Sequence, residues 1–67
     1  MREHHVTSKA QCLAAIKQAQ GTGEAVEVVW THDGGRRTSY RFPAVPAHKV
    51  AARAKRLERL AKKLNET

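Results

Sequence analysis

A single cysteine, Cys12, is too few for a disulfide within the chain, so no covalent staple can stand in for a hydrophobic core. Long apolar runs are missing too. Nothing approaches the roughly 20 consecutive apolar residues of a membrane span, and residues 1–6 hold no apolar segment that could act as a signal-peptide core. These absences lead us to expect a cytoplasmic protein with no membrane partner. Aromatics are scarce: Trp30, Tyr40 and Phe42 all fall within one stretch, "WTHDGGRRTSYRF". Glycine is confined to turn-like clusters, "GTG" and "DGG", which match neither a dinucleotide fingerprint nor a phosphate-binding loop.

Acidic residues are few where basic ones are many. From Met1 to Gly35, Arg2, Lys9 and Lys17 are balanced by Glu3, Glu24, Glu27 and Asp33. From Arg36 to Lys63 there are ten basic residues, with Glu58 alone against them, so the second half carries nearly all of the formal charge of +7. A field segregated in this way attracts polyanions or acidic protein surfaces.

The chain of 67 residues is read as one small domain, 1–67, able to bury only a modest core. A second copy could supply what is missing, so a homodimer is expected. In "TSKAQCLAAIKQAQG", Ser8 and Gln11 form a capping box, and Cys12, Ile16 and Ala19, widened by Leu13, form one apolar face. Gly21 is read as a left-handed stop, which gives a helix over about 8–20. "EAVEVVWT" alternates Val26, Val28 and Trp30 against Glu27, Val29 and Thr31, and "RRTSYRF" alternates Arg36, Thr38, Tyr40 and Phe42 against Arg37, Ser39 and Arg41. These are strands over about 24–31 and 36–42. A three-residue loop of Asp33, Gly34 and Gly35, with Gly35 at positive φ, pairs Val28 with Tyr40 and Val26 with Phe42 and sets Glu27 opposite Arg41. Pro46 then opens a helix over about 46–64, where Val50, Ala54, Leu57, Ala61 and Leu64 make one apolar stripe with Leu60 at its margin. The expected fold class is α+β: a small two-layer α-β-β-α unit in which the two helices pack on one face of a two-stranded antiparallel hairpin.

No catalytic residue, metal site or cofactor is expected. His4, His5, Cys12, His32 and His48 lack the short-spaced pairs of a closed zinc site. Cys12 lies on an apolar helical face and is read as a buried, inert thiol. Trp30, Tyr40 and Phe42 alternate in phase with the valines, which assigns them to the core rather than to stacking on bases.

The basic half remains. Arg36 and Arg37 flank the turn, Arg41 shares the outer strand face with Arg37, and Lys49, Arg53, Arg56, Arg59 and Lys63 lie on the last helix with Lys55 and Lys62. Arg36, Arg37, Arg41, Lys49, Arg53, Arg56, Arg59 and Lys63 are the candidate binding residues. A two-stranded ribbon fits the DNA major groove and a cationic helix can follow phosphates, so a nucleic-acid-binding protein is expected, with DNA preferred to RNA. The alternative is a protein-binding modulator or inhibitor that docks this basic surface on an acidic, possibly nucleic-acid-binding, site of a larger protein. "VEVVWTHDGGRRTSYRFP" resembles the hairpin of the arm-type DNA-binding domains of phage integrases, where a basic, glycine-centred turn leads into a helix. "AARAKRLERLAKKL" is similar to the closing helix of double-stranded RNA-binding domains. Both families have a strand that the sequence reading lacks.

Overall fold

A computed structural model describes residues 2–66. Its elements are β1 (Arg2–Val6), α1 (Lys9–Gln20), β2 (Val26–Thr31), β3 (Arg37–Phe42), a 3-10 turn (Ala47–Lys49) and α2 (Val50–Asn65). The α+β class holds, but the sheet has three strands in the order β1-β2-β3, not two. β1 runs parallel to β2, with His4 beside Val28 and Val6 beside Trp30, and α1 is the crossover between them. "REHHV" carries almost no apolar signal because the backbone ladder holds this strand. Its one buried side chain is Val6. His4 and His5 lie on this strand, with His4 half-buried and His5 exposed.

The hairpin register matches the expectation at every pair. Val26 faces Phe42, Glu27 faces Arg41, Val28 faces Tyr40, and Thr31 faces Arg37. The amide of His32 donates to the Arg36 carbonyl at 2.7 Å and that of Gly35 to the His32 carbonyl at 3.0 Å, closing the three-residue loop. Gly34 and Gly35 both sit at positive φ, 89° and 90°, a backbone region that side chains with a Cβ rarely adopt.

Ser8 caps α1 by accepting from the Gln11 amide at 3.2 Å, while the Gln11 side chain reaches back to the amide of Thr7 at 2.9 Å. The helix does not end in a left-handed residue: Gly21 has φ −85°, and its amide closes a tight turn onto the Gln18 carbonyl. Pro46 does not start an α-helix directly either. It precedes the 3-10 turn, whose Lys49 amide donates to the Pro46 carbonyl at 2.9 Å, and α2 follows at Val50.

The core is small and built of small side chains: Val6, Cys12, Ala15, Ile16, Ala19, Val26, Val28 and Leu57 are buried. Trp30, Tyr40, Phe42, Leu60, Ala61 and Leu64 pack half-buried around it. α1 lies on β1 and β2, and α2 packs alongside α1. Val45 is drawn against the α1–β2 loop, where its amide donates to the Gly23 carbonyl at 2.9 Å. A Cβ at residue 23 would stand 2.7 Å from the Val45 carbonyl oxygen, so only glycine permits this approach. Among the described residues no helix is long and apolar enough to cross a membrane.

Candidate binding surface

Seven of the eight candidate cations are exposed, and one is not. Arg53, in the first turn of α2, is buried. Its Nη1 donates to the carbonyls of Glu24 at 2.7 Å and Pro43 at 2.8 Å, and its Nη2 donates to those of Ala19 and Thr22. The planar fork thus gathers the end of α1, the following loop and the end of β3 onto α2. Its Nε has no partner. No carboxylate neutralises this charge; carbonyl dipoles at the negative end of α1 do. Arg53 is therefore a fastening inside the fold, and the expectation that it contacts a ligand is withdrawn.

Arg41 is exposed on the outer sheet face, and its Nε donates to Glu27 Oε2 at 2.9 Å, as the register requires. The hydrogen bond and charge of Glu27 push the guanidinium pKa further up. By contrast, among the described residues Arg36, Arg37, Lys49, Lys55, Arg56, Arg59, Lys62 and Lys63 form no ion pair. All eight are exposed.

Two sets of these cations lie at one end of the molecule. β1 ends beside Trp30, near the hairpin turn, and α1 starts just beyond it at Lys9. Lys9 Nζ in turn donates to the Asn65 carbonyl at 3.5 Å, which brings the end of α2 to that same end. Arg36 and Arg37 at the turn and Lys62 and Lys63 on the last turn of α2 therefore share one pole. Lys55 to Lys63 extend the charge by about 12 Å along the helix, at 1.5 Å per residue.

β1 also changes the ribbon. It covers the flank of β2 as far as Trp30, so only the tip from Thr31 to Arg37 is two-stranded. At the base of that tip the Trp30 and His32 rings lie 4.2 Å apart, and His32 Nε2 bonds Thr38 Oγ1 at 2.8 Å.

An open groove of about 500 Å³, which was not anticipated from the sequence, lies between β3 and α2. Phe42, Val45, Ala52, Leu57 and Leu60 give it an apolar floor, Arg41, Lys49 and Arg56 stand around it, and no carboxylate lines it. Leu60, displaced from the main stripe, was the available signal: a leucine off the helix-packing face needs another apolar surface to cover.

Compared with protein-family models, curated proteins and solved structures, the chain matches none.

Proposed function

We propose that this protein binds nucleic acid without catalysing a reaction, and DNA in preference to RNA. The observation that supports the reading is the placement of unpaired, exposed cations at one end of the molecule, Arg36 and Arg37 on a projecting tip and Lys62 and Lys63 at the end of α2. A two-stranded tip is narrow enough to enter a major groove, and arginine can fork onto a guanine edge while the helix lies along phosphates. About 12 Å of helix spans some three to four phosphates of one strand. The test is fluorescence anisotropy with labelled duplex DNA and duplex RNA over a salt series. Binding should weaken steeply with salt and be tighter for DNA. A Kd no better than about 10⁻⁴ M for both duplexes at physiological salt overturns the reading, because ordinary non-specific association already reaches that value.

A second reading, a modulator or inhibitor that binds a larger protein through an acidic site, is favoured by a different observation. The groove between β3 and α2 has an apolar floor with cations around it, away from the charged pole.

A further inference from the structure

We propose that the free edge of β3, roofed by α2, takes up one extended acidic segment of a partner protein as a fourth strand. This deepens the second reading above and does not depend on nucleic-acid binding.

The layers do not match in width. α1 rests on β1 and β2, and helices packed side by side stand about 8–10 Å apart. Strands are spaced by about 4.8 Å, so a helix neighbouring α1 lies two strand positions further along the sheet. That carries α2 over the open edge of β3, between β3 and the place where a fourth strand would run. Consistent with this overhang, no Cα of α2 comes within 8 Å of any described strand. The groove lies at the Phe42 end of that vacant position, with Arg41 and Phe42 on the β3 side and Leu57 and Leu60 on the α2 side.

The backbone at that edge is available for pairing. His32 and Arg36 form a hydrogen-bonded pair, so by antiparallel alternation Thr38, Tyr40 and Phe42 direct their backbone groups to β2. Arg37, Ser39 and Arg41 direct theirs to the open edge. An added strand would meet three donors and three acceptors there.

Charge and periodicity specify the occupant. Alternate side chains of an added strand would point under α2, where the floor is apolar, and onto the outer sheet face beside Arg37 and Arg41. The segment that fits alternates apolar with acidic residues. A second copy fits poorly, because antiparallel pairing of β3 with itself about Ser39 would set Arg37 directly across from Arg41 of the other chain, and like charges in that position repel.

The test uses the intact protein and a synthetic seven-residue peptide alternating glutamate and valine, beside a peptide of the same composition with its glutamates in one block. Amide hydrogen exchange by NMR reads the edge directly. The alternating peptide should slow exchange at the amides of Arg37, Ser39 and Arg41, and the block peptide should not. Ser39→Pro removes one outward donor without touching the β2 ladder and should weaken binding by about tenfold or more. Should that variant unfold, an alternating peptide N-methylated on one edge replaces it and should lose binding to the native protein. Equal binding by both peptides, with shifts on α2 instead of edge protection, overturns the added strand while leaving the basic surface as an acidic-protein dock. No binding by either peptide removes both. Edge protection that appears on concentrating the protein alone, or on adding an oligonucleotide and not the peptide, also overturns the proposal by assigning the edge to another occupant.

Discussion

Arg53 Nη2 donates to the Ala19 carbonyl oxygen at 3.1 Å, and through that bond the first turn of α2 closes the end of α1. The same guanidinium holds the carbonyls of Thr22, Glu24 and Pro43. Removing it would leave four acceptors near the core with their best donor gone. Arg53→Met should therefore cost more than about 3 kcal/mol, enough to unfold much of so small a domain. Arg53→Lys should rescue little, because one ammonium cannot span two pairs of carbonyls on opposite arms of a fork. Urea denaturation of both variants checks this, and a lysine variant as stable as the parent would refute the fork argument.

Arg53 also marks the limit of what the sequence reveals. It stands in phase with Leu57, Leu60 and Leu64, at i, i+4, i+7 and i+11, so periodicity sets it on the apolar face, apart from Arg56 and Arg59, but does not tell a fastening arginine from one whose head reaches back to solvent. The distinction depends on where carbonyls from distant loops end up. β1 escapes notice for a related reason: its pairing is made by backbone, and its side chains carry one buried valine. The hairpin is legible because alternation fixes which face is apolar, and a single register satisfies Val26, Val28, Tyr40 and Phe42 together. The groove is a property of two layers of unequal width, and Leu60 at the margin of the stripe is its one local trace.

Trp30 is half-buried at the edge of the core, not enclosed by it. Trp30→Ala should lower stability by about 2 kcal/mol, roughly half the loss at a fully enclosed aromatic. Chemical denaturation measures it. An unchanged stability combined with weaker DNA binding would instead identify the Trp30–His32 pair as a stacking platform.

Alkaline pH should weaken the fold through one buried and one half-buried group. Burial pushes the Cys12 thiol up, and burial, then the charge of Cys12, pushes the Tyr40 phenol up. Between the unfolded and folded pKa values the unfolded chain has released protons that the folded chain keeps, so it binds fewer and stability falls as pH rises. For these groups stability is full below their unfolded values, about 8.5 for a thiol and about 10 for a phenol, and declines above them. The melting temperature should hold from pH 7 to 8 and then drop. Cys12→Ala should remove the earlier part of that decline, and a profile unaltered by it would show that the thiol does not titrate with unfolding.

The pole and the groove can be separated by salt. If duplex DNA lies on Arg36, Arg37, Lys62 and Lys63, each lost phosphate contact should reduce the log-log salt slope by about 0.9. Lys62→Gln combined with Lys63→Gln should then flatten it by about 1.8, and Arg37→Gln by about half as much. Arg41→Gln should do less than Arg37→Gln, because Glu27 already occupies the Arg41 Nε. Lys49→Gln, at the opposite end of α2, should leave the slope nearly unchanged while weakening capture of the acidic peptide in the groove. Anisotropy over a salt series measures all four. Equal reductions from Lys49 and from the Lys62–Lys63 pair would mean that charge acts through the general field of the molecule, without a localised interface at the hairpin tip.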